Sequence, residues 1–499
     1  MLDSSLVQFE SPITTYKAAI ANKMSTWAKI NDADGLRRME LELASMGRDL
    51  ADGITKNVLK GLMEDSQFAQ ETTRAAKSAG TYRGGEIRPV TITLLGGSRM
   101  IIRTPYLKPD RRGRRGRPRG IGHRGKGGTG LYPVLAALGI WFYVTPALSG
   151  EICRQVADSD SLRSGREALS RRGIDLGHKQ TLSIVNKTSQ RLVELRQKWL
   201  DSVRRGELVE EGALVDKRVV VATDGGRVRQ RRAVRAGRRR TKTGHRRYNA
   251  PWREPKLFCI YVIDENGKKD ESFRPIYDGT LGDCDETFNM LVGYLRALCI
   301  HRARDVVFIG DGAKWIWTRI ADLASAVGLA PERIIQIIDW FHAVEVLHEI
   351  AAVPARWSQA ERQKWIKNVR RQLYNGNIDA VVKAIDELAK GRRAGKISKH
   401  RDYFVRNAER MKYSSFKKAR LPLGSGAIES AVRRVINLRM KGNGTFWIEA
   451  NAEGMLHLRC YLKTGRFDDL MSWFGNSMAP WWSGLSKTIQ SSMPVCEAA

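Results

Sequence analysis

Three acids occupy places in this chain where carboxylates could do chemistry. Asp224 closes the apolar run RVVVATDGG (218–226), and Asp311 sits in Ile309-Gly310-Asp311-Gly312. Glu429 lies in GSGAIES (424–430), in the first turns of a helix opened by Gly424-Ser425-Gly426. An acid at a strand end followed by glycine is, taken singly, more often a turn residue than a ligand. Three carboxylates reaching one point are another matter, because their mutual repulsion costs several kcal/mol unless divalent cations neutralise it. An all-carboxylate set suits a hard cation, Mg²⁺ (or Mn²⁺), which keeps waters and phosphate oxygens as its other ligands. On a helical wheel the apolar arc Ile428, Ala431, Val432, Val435, Ile436 and Leu438 is bordered by Glu429, with Arg433 one turn on. That arrangement points Glu429 past the core toward a sheet edge and lets Arg433 meet a phosphate.

The charge balance names the same substrate class. The chain has 499 residues, 42% hydrophobic and 28% charged, which excludes disorder throughout and predicts two to four domains. Its net charge of +33 exceeds what solubility requires and predicts a polyanionic partner, nucleic acid ahead of an anionic membrane surface. The excess is concentrated: residues 103–126 hold ten Lys/Arg against one Asp, and residues 227–247 hold eleven against none. Within the first run Arg115-Gly116-Arg117-Pro118-Arg119-Gly120 is similar to an AT-hook, whose flat core lies in a narrow minor groove, although generic phosphate binding is the commoner role of such strings. Arg238, Arg239 and Arg240 are the densest part of the second run.

Six cysteines without C-x-x-C spacing argue against a disulfide framework and a zinc ribbon, and predict a reducing compartment. The N-terminus lacks a signal-peptide pattern, so export is not expected. The apolar stretch Leu131–Leu148 is interrupted by Pro133 and Pro146, which predicts a buried helix rather than a membrane span.

Around the acids the sequence changes grammar several times. Residues 1–80 read as an N-terminal helical region, and 81–130 as a β-hairpin turning at Gly96-Gly97 plus the basic Arg/Gly segment. Residues 131–205 read as helices, beginning with VLAALGIWFYV (134–144). Their last pair, split by GIDLG (173–177), forms a helix-turn-helix pattern with Lys179, Gln180, Thr181, Ser183, Asn186 and Lys187 on the second helix. An ordinary helical hairpin is the plain alternative. From 214 to 354 strands and helices alternate in α/β order, 355–420 is a charged helical insertion, 421–475 resumes the α/β unit with the Glu429 helix, and 476–499 is a tail. Asp339 and His342 lie one helical turn apart at a strand-to-helix junction. Their plain readings are an N-cap and a half-buried histidine. Trp447, Trp357 and Trp365 are candidates for stacking on an unpaired base, with core packing the commoner role for each.

The order of Asp224 in ATDGG, Asp311 in FIGDGAKW, Asp339-Trp340-Phe341-His342 and Glu429 in GSGAIES, followed by RMKGNGTFW (439–447), resembles the DDE transposases of bacterial insertion sequences. The nearest resemblance is to the Mutator-like group with its Asp-or-Cys-x-x-His motif and to the Kra-type elements. It covers roughly 85–480. It implies a ribonuclease H-like mixed sheet with a helical insertion, preceded by the hairpin and the helix-turn-helix DNA-binding region. It further implies Asp224, Asp311 and Glu429 as the metal-binding triad for two Mg²⁺ or Mn²⁺ ions, with His342 beside them. The implied activity is strand cleavage at the element's ends and strand transfer to target DNA. The implied partners are double-stranded DNA, as terminal inverted repeats and as target, and further copies of the chain in a homodimer or higher oligomer. No membrane is involved, and the implied location is the bacterial cytoplasm, at the nucleoid. One departure is visible: related chains often carry a Cys-rich ribbon near the first basic run, and this chain has no Cys there. Two other classes share the acids: a ribonuclease H-like nuclease or resolvase, and a transposase-derived DNA-binding protein without catalysis.

Overall fold

A computed structural model describes residues 2–80, 82–109, 130–207, 212–233, 248–389 and 394–482, with side-chain surroundings from residue 10 onward. Arg115, Arg117, Arg119, Arg238, Arg239 and Arg240 lie outside the described residues. The chain divides into two units, one of residues 1–191 with 468–492 and the other of residues 192–467 with the last seven residues.

The first unit opens with three helices, α1 (Leu2–Trp27), α2 (Ala33–Glu64) and α3 (Ser66–Ala79). The predicted hairpin follows as β1 (Tyr82–Thr93) and β2 (Arg99–Pro109), paired antiparallel. Its turn is fixed from outside: Asp52, buried on α2, accepts the backbone N–H groups of Gly96 and Ser98 at 2.9 Å each. Leu59, Val90, Ile92, Leu94, Ile102, Leu135 and Ile140 form a core beneath the hairpin.

The stretch 134–144 is not the single helix its composition predicts. A short helix, Pro133–Ala137, stops at Gly139, whose φ of +67° places it in the left-handed region. Phe142 and Tyr143 also have positive φ. Edge pairing overrides helix propensity here, because Thr93 donates its N–H to Tyr143 O and accepts from the Thr145 N–H. Val134, Leu135, Ala136, Ile140, Val144 and Leu148 are buried all the same, while Tyr143 is exposed. Among the described residues no helix is long and apolar enough to cross a membrane. The helices α4 (Pro146–Asp158), α5 (Leu162–Ser170) and α6 (His178–Arg204) complete this part of the chain.

The second unit is built on a five-stranded mixed sheet of β3 (Arg218–Gly225), β4 (Lys256–Ile263), β5 (Ile276–Thr280), β6 (Asp305–Gly310) and β7 (Ile334–Ile338). Their order across the sheet is β7-β6-β3-β4-β5. β3, β6 and β7 run parallel, while β4 is antiparallel to both of its neighbours, β3 and β5. Such strands are covered on both faces, which is why β4 reads as an unbroken apolar run after Lys256 and every one of its residues is buried. Helices α7 (Cys284–Ala297) and α8 (Trp340–Ala352) connect or follow strands. The insertion consists of α9 (Gln359–Tyr374), α10 (Ile378–Leu388) and α11 (Ala394–Arg406), with a short helix Tyr413–Lys418 after it. The chain then returns through α12 (Gly426–Val432) and α13 (Glu449–Lys463).

Between α12 and α13 the helix passes through a π-turn, Arg433–Asn437. The extra residue per turn shifts the wheel, so the predicted apolar arc holds through Ile436 and then fails. Leu438 is turned out, 59% exposed, while Arg439 and Met440 go inside. Carbonyls loosened by the turn are met by the fully buried Arg459 of α13, whose guanidinium donates to Val435 O at 2.6 Å and to Arg434 O.

Candidate functional site

The parallel strands set the acids in line. Val306–Ile309 of β6 pair in step with Val219–Ala222 of β3, so Asp311 and Asp224 each stand two residues beyond the last paired position. Gly310 pairs with Ile338 of β7, so Asp311 and Asp339 follow as the next residues on each strand. Three aspartates thereby fall side by side at the carboxyl ends of three neighbouring parallel strands, the end at which α/β sheets bind ligands. Glu429 arrives from α12, which packs on β3 and β4.

The four acids are not equivalent. Asp224 is half-buried, and its Oδ1 accepts the Gly225 N–H at 2.6 Å. Burial, with added repulsion from Asp311, Glu429 and Glu254, pushes its carboxyl up to about 6 against the Gly225 hydrogen bond, which acts the other way. Asp311 is half-buried, accepts the Ala313 N–H at 2.9 Å, and through its carbonyl accepts the Trp317 indole N–H. Glu429 is exposed and accepts the Ser425 hydroxyl at 3.0 Å. Asp339 is buried and committed to backbone: one oxygen takes the His342 N–H at 2.7 Å as the N-cap of α8, and the other takes the Ser425 N–H. The plain N-cap reading of Asp339 therefore describes its bonds, and its second bond fixes the loop that opens the Glu429 helix.

His342 is not a packed core residue. Its side chain is 42% exposed, with Nδ1 3.7 Å from Glu345 and its ring 6.2 Å from that of Tyr403. Arg433 is exposed on the turn after α12. Trp447 is tied to the ribbon that leaves Asp224: its N–H donates to Arg229 O, its carbonyl accepts the Arg231 N–H, its indole donates to Met440 O, and Arg439 lies over its ring at 5.2 Å. These bonds make it a packing residue. Trp357 and Trp365 lie together in the insertion with ring centroids 6.2 Å apart.

In the first unit Lys179 and Gln180 are exposed on the first turn of α6, whereas Thr181 is buried and Asn186 is half-buried. Lys187 sits over the Phe142 ring at 5.2 Å.

Two residues at the acid cluster escape sequence reading. Glu254 stands just before β4 with its Oε1 2.3 Å from where a Cβ on Gly225 would lie, and it is the third carboxylate neighbour of Asp224 after Asp311 and Glu429. Tyr403 reaches over from α11, and a Cβ on Gly312 would lie 2.0 Å from its ring. Burial, with Asp311 and Asp339 nearby, holds the Tyr403 phenol far above its ordinary value. Its hydroxyl has no hydrogen-bond partner among the described residues. Neither position carries a local signal, because both depend on pairings distant in sequence.

The chemistry of the donor set fits a hard divalent cation: oxygen only, three acids with a fourth beside them, and one carboxyl raised by burial and then by its acidic neighbours. As the side chains stand, no three His, Cys, Asp or Glu among the described residues are jointly within reach of one metal ion. Glu429 is held by Ser425, and Asp339 has spent both oxygens on backbone.

A deeply buried polar group lies elsewhere in this unit. Asp278 accepts from Arg196 at 2.8 Å, from Tyr294 at 2.5 Å and from its own Gly279 N–H. Arg196 also bonds Glu453 at 2.6 Å. Burial opposes the charge on Asp278, but Arg196 and His457 outweigh it and hold the carboxyl well below its ordinary range. His457 Nδ1 lies 3.3 Å from Asp278, while its buried Nε2 has no hydrogen-bond partner among the described residues.

No family model, curated protein or solved structure matches this chain.

Proposed function

We propose that this protein is a DDE-type transposase with a ribonuclease H-like catalytic core, acting on DNA phosphodiesters with Asp224, Asp311 and Glu429 as the metal-holding acids. The observation that carries this is the register that sets Asp224 and Asp311 on adjacent parallel strand ends, with Glu429 close enough to raise Asp224. The mixed sheet with its antiparallel second strand, the insertion between Asp339 and Glu429, and the net charge of +33 support the same reading.

Mg²⁺ or Mn²⁺, as a pair of ions, would lower the pKa of a bound water so that its hydroxide can attack phosphorus, and would neutralise the charge on the attacking and leaving oxygens. Asp224 and Asp311 present carboxylates from fixed strand ends. Glu429 joins them by giving up the Ser425 hydroxyl. Arg433 faces a phosphate, and His342, half-exposed one turn from Asp339, moves a proton or orients the scissile group. Lys179 and Gln180 read DNA from the first turn of α6. The partners are duplex DNA and further copies of this chain, in the bacterial cytoplasm.

The test uses the full chain with DNA carrying both flanks of its own coding region, in Mg²⁺ or Mn²⁺. Nicking at defined ends followed by joining to a second DNA is the expected result. Cleavage without joining would return the protein to the nuclease class, and binding without either would make it a non-catalytic DNA-binding protein.

A further inference from the structure

Apart from the acids, the second unit holds a cavity of about 640 Å³ between α8 and α9, with walls that include Trp340, His348, Lys367, Arg370, Arg371 and Tyr374. No Asp or Glu lines it. None of Lys367, Arg370 and Arg371 has an ion-pair partner among the described residues, while Arg196, Arg218, Arg304, Arg319 and Arg401 of the same unit are each paired with an acid. Arg370 instead lies over the Trp340 ring at 5.5 Å, and Tyr374 meets Trp340 edge-on at 5.7 Å. Three unneutralised cations around one concavity repel one another, a cost that an anionic occupant removes.

We propose that this cavity binds an unpaired segment of DNA strand, with Lys367 and Arg371 on its phosphates and Tyr374 against a base. The inference rests on the DNA-processing reading and names a separate subsite for it. The concavity is open to solvent along one side, and its volume of about 640 Å³ suits one or two nucleotides of a strand laid into it. Cations for the backbone beside an aromatic wall for the base are the parts from which single-strand grooves are made. Trp340 follows Asp339 directly, so the cavity wall is joined to the strand end beside Asp311.

The experiment measures binding of the full chain, by fluorescence anisotropy, to a blunt duplex and to the same duplex with a short unpaired oligo-dT tail. The native protein should bind the tailed DNA about tenfold more tightly, as one added base stack and two phosphate contacts require. A Lys367→Gln/Arg371→Gln variant, with Arg370 left on Trp340, should lose that preference. Its log–log salt slope on tailed DNA should fall by about 1.4, or about 0.7 for each single-strand phosphate contact, with the blunt-duplex slope unchanged. Gln363→Lys, which adds a cation to the same wall, should strengthen tail binding several-fold and serves if the double variant does not fold. Equal loss on both DNAs, or no tail preference in the native chain, overturns the proposal even if the protein cleaves DNA. A preference for an RNA tail overturns the DNA assignment. A tail preference in a protein that cleaves no DNA keeps the cavity assignment and removes the strand-cleaving one.

Discussion

Asp339 accepts the backbone N–H of Ser425 although 86 positions separate them, while its other oxygen accepts the His342 N–H at 2.7 Å. One carboxylate thus pins the start of the helix bearing His342 to the loop that opens the Glu429 helix. Asp339→Asn should separate its two tasks, because an amide oxygen can still cap His342 while the amide nitrogen cannot accept from Ser425. We expect the Asn variant to lose about 1–3 kcal/mol, because its amide N–H₂ faces the buried Ser425 N–H, and to lose cleavage about tenfold or more through misplacement of Glu429. Asp339→Ala should lose cleavage and, in addition, about 1–2 kcal/mol from the cap. Thermal melts beside single-turnover cleavage check this, and an Asn variant with native cleavage would confine Asp339 to capping.

Asp224→Asn, Asp311→Asn and Glu429→Gln should each lower strand cleavage by at least about 10³-fold with DNA binding nearly intact, because the acids hold cations and otherwise repel phosphate. Cleavage should proceed with Mg²⁺ or Mn²⁺ and fail with Ca²⁺, whose longer, looser coordination misplaces the nucleophile. Full cleavage by any one variant removes that acid from the set.

Asp224 also makes a prediction about stability alone. Its carboxyl stands near 6 in the folded chain against an ordinary 3.8, so the folded state binds the proton more tightly than the unfolded state. Its contribution is most favourable below about pH 4 and is lost as pH rises through 6. Asp224→Asn should therefore be more stable than the native chain at pH 7 in the absence of divalent cations. The gain should be at most about 3 kcal/mol, at about 1.4 kcal/mol per unit, and should fade toward pH 4. Denaturant midpoints at the two pH values decide it, and equal midpoints would show that burial and its acidic neighbours do not raise the Asp224 carboxyl.

With a side chain 42% exposed, His342 has little packing to lose. His342→Ala should leave the melting temperature within about two degrees of native. Cleavage should fall on the order of 10²-fold if the imidazole moves a proton or orients the phosphate. Normal cleavage at an unchanged melting temperature would place His342 on the surface and nothing more.

Gln180→Ala should reduce discrimination between the element's ends and random DNA, since Gln180 is exposed on the first turn of α6. Asn186→Ala, at a half-buried position, should cost stability before it costs specificity. Competition binding with the two DNAs checks both, and equal loss on each DNA for Gln180→Ala would end the base-reading role of this helix.

Much of this architecture is legible residue by residue. Strands covered on both faces must be apolar throughout, and β3, β4 and β6 announce themselves as such runs, with Asp224 and Asp311 at or just past their ends. The hairpin at Gly96-Gly97 and the helical insertion are equally local in origin. Where long-range pairing competes with local preference the reading fails. The helix expected over 134–144 yields to Thr93, and the wheel drawn through Leu438 is broken by a π-turn that Arg459 satisfies from another helix.

The kinds of side chain available for chemistry, and the strand or helix each belongs to, follow from local periodicity and turn residues in the chain itself. The alignment of Asp224, Asp311 and Asp339, the approach of Glu254 and Tyr403, the commitment of Asp339 to Ser425, and the cavity of unpaired cations do not. Each depends on strand order, register or helix docking between segments tens of residues apart. Those are settled by which apolar faces bury each other in the folded molecule, and a periodicity of two or of 3.6 residues carries no record of its partner.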